Sequence, residues 1–137
     1  ATKLTKKDFI STEDSNNIVI RLENSLVIKL FKKYKKATII KSPNVSGDLR
    51  IPSFIQFNST KYEIALIGFN AFCDTSLKSL AFEPDSKLKG ISNCAFDNSS
   101  LTSFYIPANL SNLDDLWCRR ASKLKMIEID PKNVFFQ

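Results

Sequence analysis

Residues 67–82 read IGFNAFCDTSLKSLAF and residues 91–106 read ISNCAFDNSSLTSFYI, and the second stretch is the first moved along by 24 positions. Ile67, Ala71-Phe72, Leu77, Leu80 and Phe82 stand above Ile91, Ala95-Phe96, Leu101, Phe104 and Ile106. A third copy keeps the second half of the pattern, with Leu124, Ile127 and Ile129 each 23 residues beyond Leu101, Phe104 and Ile106. In every copy the last two apolar positions are two apart, so both point from one face of a strand while the residue between them points away. One such segment has nothing to bury its apolar face against, so the copies have to stack, each contributing one short parallel strand. The expectation is a β-rich solenoid with parallel strands at Leu80–Phe82, Phe104–Ile106 and Ile127–Ile129, all three with their apolar pairs facing inward.

Working outward, Ala37–Ile40 and Leu49–Pro52 are two further short apolar strands joined by a stretch dense in turn formers, Lys41 to Asp48. Ile51-Pro52 recurs as Ile106-Pro107, which places another coil strand ahead of the clear repeats. From Ile51 to Phe82 the spacing is 31, seven more than the period. The surplus is assigned to Phe54–Ile64, where Phe57-Asn58-Ser59-Thr60-Lys61-Tyr62 reads as an inserted hairpin tip.

A period of 23–24 residues with this spacing is the signature of a leucine-rich-repeat solenoid, a fold of the α/β repeat class. Five segments sharpen the match: Ile51-Pro52, Ile67-Gly68-Phe69-Asn70-Ala71-Phe72, Leu77-Lys78-Ser79-Leu80, Ile91-Ser92-Asn93-Cys94-Ala95-Phe96 and Leu101 to Pro107. Together they resemble the BspA-like leucine-rich repeats of bacterial and protist surface antigens, whose I-G-x-x-A-F turn is followed by L-x-x-I-x-I-P. The resemblance covers residues 37–134 and implies a surface protein that binds host or matrix proteins. The third coil departs from it, since Leu113–Cys118 replaces the I-G-x-x-A-F segment with Asp114-Asp115 and Trp117.

Residues 1–36 stand apart and are read as a basic arm with a hairpin or cap, leaving 37–137 as the repeat unit, incomplete at its C-terminal end. Ala1–Asn17 is polar, carries Lys3, Lys6 and Lys7, and reads as an arm or short helix ending in a loop. Ile18–Lys36 has two readings. As an amphipathic helix it gathers Leu26, Val27, Leu30, Phe31 and Tyr34 on one arc. As a hairpin it sets Ile18–Leu22 against Leu26–Phe31, and the β-branched content favours this second reading. Residues 1–41 hold ten basic and four acidic side chains, residues 42–137 ten of each, so the whole excess of +6 is N-terminal. Lys29, Lys32, Lys33, Lys35 and Lys36 form its densest patch.

The chain has no histidine, which removes the usual general base and the commonest metal ligand. Its three glycines make no phosphate-cradling loop. Cys73, Cys94 and Cys118 have no C-x-x-C spacing and are read as small, reduced, mostly buried side chains. Asn44, Asn58, Asn98 and Asn109 begin N-x-S/T sequons, surface glycan sites if the chain is secreted. No catalytic residue, metal or cofactor is assigned, and no apolar run is long enough to span a membrane.

What remains is binding. The outward residues of the three strands fall in rows: Ser79, Ser103 and Met126, then Ala81, Tyr105 and Glu128, with Glu83 and Asp130 beyond. Tyr105 is the aromatic among them and the expected anchor. The leading expectation is a non-enzymatic protein-interaction module with a protein partner and no small-molecule substrate. The alternative is an intracellular scaffold whose basic N-terminal segment docks on an acidic cytoskeletal surface such as a microtubule. That reading suits the unpaired cysteines. Nucleic-acid binding ranks last, because no nucleic-acid fold surrounds the lysines.

Overall fold

Ile18 and Ile20, Ile28 and Leu30, Ala37 and Ile39 alternate with more exposed neighbours, and each pair lies on the buried side of a strand. The computed structural model of the chain describes residues 2–5 and 8–137; Ala1, Lys6 and Lys7 lie outside them. In chain order the strands are β1 (Thr2–Lys3), β2 (Phe9–Glu13), β3 (Asn17–Arg21), β4 (Val27–Phe31), β5 (Lys36–Ile39), β6 (Ser46–Ile51) and β7 (Phe54–Phe57). There follow β8 (Thr60–Ile67), β9 (Ser76–Phe82), β10 (Gly90–Ile91), β11 (Ser103–Ile106), β12 (Asn112–Leu113) and β13 (Met126–Ile129). β2 to β5 form an antiparallel meander, and β5 then pairs in parallel with β8. β8 continues in parallel to β10, and β10 to β12, through Ile67↔Ile91↔Leu113.

Residues 17–31 are therefore two antiparallel strands and not a helix, as their β-branched residues favour. Residues 9–13, expected as an arm or short helix, are strand β2 paired with β3. The inserted tip is the β7–β8 hairpin, closed by Asn58 and Ser59 at φ 47° and 65°. Two successive positive φ angles give a turn whose twist matches its strands.

Each coil returns through a tight corner. Asn70, Cys94 and Leu116 share positive φ, as do Asp74, Asn98 and Arg120 one turn later. The Phe72 N–H donates to the Ala95 carbonyl and the Phe96 N–H to the Trp117 carbonyl, so the corners are bonded coil to coil. These corners need no helix, and none occurs among the described residues, which corrects the α/β expectation to an all-strand fold. The corner register also sets Trp117-Cys118 where earlier coils have Ala71-Phe72 and Ala95-Phe96. Large and small have changed places, and the indole still enters the ring stack. It lies 5.9 Å from Phe96 and 5.1 Å from Phe104, and Phe96 lies 5.2 Å from Phe72. One hydrophobic core runs from Ile18 to Trp117.

On the other side of the coils the three expected strands lie side by side, but not as one sheet. β9 pairs with β6 (Leu49↔Leu80, Ile51↔Phe82) and β11 with β13 (Phe104↔Ile127, Ile106↔Ile129). Between β9 and β11 the Thr102 N–H reaches the Lys78 carbonyl at 3.0 Å, and no ladder follows among the described residues. Ile127 and Ile129, expected inside, are 47% and 40% exposed, since β13 has a neighbour on one side only.

Candidate protein-binding face

The parting of β9 from β11 opens a cleft of about 520 Å3 beyond Phe82 and Tyr105. The strands start together at Lys78 and Thr102, and the segments that leave them, Glu83–Lys87 and Pro107–Asn109, form its two walls. Phe82, Pro84, Tyr105 and Pro107 supply apolar surface; Glu83, Asp85 and Asp130 supply three carboxylates against one lining ammonium, Lys87.

These groups are held from behind. The Glu83 carboxylate accepts from the Ser53 N–H at 2.9 Å and lies 3.9 Å from the Arg50 guanidinium. The Ser53 hydroxyl donates to Asp85 at 2.5 Å, and this bond leads the causes that lower the Asp85 pKa. Tyr105 donates to Asp130 at 2.8 Å. That bond raises the phenol's pKa; the Lys132 N–H first and the phenol second lower that of Asp130. Tyr105 thus keeps its proton and Asp130 its charge, with the ring fixed at the cleft mouth.

Of the eight expected face residues, Ser103, Tyr105, Met126 and Glu128 are exposed and aligned, Ser103 opposite Met126 and Tyr105 opposite Glu128. Ala81 is exposed too, opposite Arg50, whereas Ser79 is half-buried and gives its hydroxyl to Asp48 at 2.6 Å. Glu83 and Asp130 line the cleft. Sequence reasoning missed Asp85. Its signal was the Pro84-Asp85 pair directly after a strand, comparable to Pro107 and Pro131. Also missed was a ladder behind the cleft: Asn109 donates to the Ser86 carbonyl and, 24 residues on, the fully buried Asn133 donates to the Leu110 carbonyl.

The five lysines have different surroundings. Lys32 pairs with Glu13 at 3.0 Å, Lys36 pairs with Glu63, and Lys29 lies 5.2 Å from the Phe31 ring. Lys33 and Lys35 flank Tyr34 at the exposed β4–β5 turn, with the Lys33 ammonium 5.5 Å from the Tyr34 ring. Cys94 is buried and Cys73 and Cys118 half-buried, all three as free thiols. Burial is the leading cause that raises the Cys73 and Cys118 pKa values.

Residues 51–136 match the family model described as the BspA type leucine rich repeat region, in six copies. Two solved structures are similar. A leucine-rich repeat protein from Bacteroides capillosus is 17% identical with a TM-score of 0.54, over 82% of this chain and 98% of that one. The pneumococcal vaccine antigen PcpA is 16% identical with a TM-score of 0.60, over 84% of this chain and 38% of that one. At such identities the likeness is one of fold. No curated protein matches the chain. Among the described residues no helix is long and apolar enough to cross a membrane.

Proposed function

The chain belongs to the BspA-type leucine-rich repeat family, and from that premise we propose that it is a non-catalytic module that binds a protein partner through the strand face around Tyr105. The observation that carries the proposal is the alignment of Ser103, Tyr105, Met126 and Glu128 in one ladder, with the Tyr105 ring held by Asp130 beside an open cleft. A ring already fixed loses little freedom on binding, which is what an anchor residue needs. Residues 37–137 are the repeat unit in this reading and residues 1–36 its basic cap. The exposed Lys33 and Lys35, with Lys29, Lys32 and Lys36 behind them, add long-range attraction toward an acidic partner.

The test uses a partner isolated with the intact chain and followed by surface binding kinetics. Tyr105→Ala is expected to speed dissociation and cost about 2 kcal/mol of affinity. Replacing Lys32, Lys33, Lys35 and Lys36 by Gln is expected to slow association, as is raising the salt to about 0.5 M. Unchanged dissociation for Tyr105→Ala, together with complete loss of binding in the lysine variant, would move the function to the N-terminal 41 residues.

A further inference from the structure

The turn Lys32–Lys35 feeds β5, and the segment Glu83–Lys89 feeds β10. β5, β8 and β10 run parallel in one sheet, so both segments enter from the same edge of it. The cross-strand bonds agree: the Glu63 N–H donates to the Lys35 carbonyl, and the Lys89 N–H to the Ala65 carbonyl. One strand, β8, separates them. The same edge therefore carries a basic aromatic tip and an acidic cleft with aromatic and proline walls.

Tip and cleft are complementary in kind. Tyr34 is 64% exposed at the tip, flanked by the exposed Lys33 and Lys35. The cleft has room for one aromatic ring and an ammonium group, with the Asp85 carboxylate on the Glu83–Lys87 wall and that of Asp130 beside Tyr105. We propose that the cleft receives the Lys33-Tyr34-Lys35 tip of a second copy of this chain, in a two-fold dimer in which each copy inserts its tip into the other's cleft. Because tip and cleft share an edge, one two-fold axis between them makes both contacts at once. Such an interface is self-complementary and closes at two copies. Its strength is mainly electrostatic, so the dimer forms at low salt and dissociates as salt screens the charges.

The inference shares Tyr105, Lys33 and Lys35 with the proposed function but is tested by self-association of the chain alone and by Asp85, neither of which that reading involves, so either can fail without the other. The intact chain is examined by sedimentation over a concentration series at low and at high salt, with far-UV circular dichroism to show that each variant is folded. The expected result is a monomer–dimer equilibrium that shifts toward monomer with salt. Asp85→Lys, and separately the double change Lys33→Glu with Lys35→Glu, should each weaken the dimer by at least about tenfold. An equimolar mixture of these two proteins should dimerise again, because one wild-type contact and one swapped contact are both attractive in the mixed pair. A chain that stays monomeric throughout at low salt overturns the inference, and so does a dimer that neither charge reversal weakens. A dimer not restored in the mixture overturns it as well; retention of a basic peptide from another protein by a monomeric chain would assign the cleft to a foreign partner instead.

Discussion

Phe96 is fully buried and touches three other rings, Phe72, Phe104 and Trp117, one of them in the coil before and one in the coil after. Truncation to alanine removes the stack's middle member and leaves a cavity that rigid coils close only in part. Phe96→Ala is expected to lower the unfolding free energy by about 3–5 kcal/mol in urea melts. The Ala-Phe recurrence at 24 residues made this position legible; the inverted Trp117-Cys118 hid its partner, because the indole reaches the same stack from the neighbouring position. Asp97 is the counterpart among polar residues. Arg120 reaches it with two bonds of 2.9 Å, and those bonds lead the causes that hold its pKa below the ordinary value. A depressed acid contributes stability above its unfolded pKa, and that contribution is lost as pH falls through the folded one. Stability should therefore drop below about pH 4, and Asp97→Asn should flatten the drop. A variant whose acid limb matches the wild type would show that other carboxylates dominate.

Gly68 shows why a repeat element carries the residues it does. Its N–H donates to the Ile39 carbonyl at 2.8 Å, the first rung of a series continued by Ser92 to Ile67 and Asp114 to Ile91. A Cβ placed on Gly68 would lie 2.9 Å from that same carbonyl oxygen and 3.2 Å from the Thr38 methyl. Gly68→Ala must push β5 from the first coil and is expected to cost about 1–3 kcal/mol, measured by thermal or urea unfolding. Element boundaries were legible where period two or the 24-residue shift ran undisturbed, as in β3, β4 and β11, but not in β8, which begins inside the expected hairpin tip. The loss of pairing between β9 and β11 was not. Sequence spacing reports which way a side chain faces, and Ser79 and Ser103 satisfy the same spacing whether or not their backbones are bonded. Asp85 stayed hidden for the same reason, since its role depends on how far two walls stand apart.

At the scale of the molecule, the N-terminal meander and the coils share one core and one sheet, with β5 as the strand common to both. That continuity was invisible in composition, where charge alone separates the first 41 residues from the rest. The double role of β5, antiparallel to β4 on one side and parallel to β8 on the other, bears on the order in which the chain acquires structure. Strands β2 to β5 pair with sequence neighbours, Arg21 with Val27 and Phe31 with Lys36, and need only short loops closed. Ile39 meets Ile67, and Ile106 meets Ile129, only after much longer segments have been brought back. In pulse-labelled refolding the amides of Val19 and Lys29 should gain protection before those of Gly68 and Asp130, which donate to the Ile39 and Ile106 carbonyls, and the reverse order would refute this. The free edge of β5 then serves as a seed: the chain crystallises coil by coil onto its own first hairpins, and growth has a direction, from the N-terminus outward.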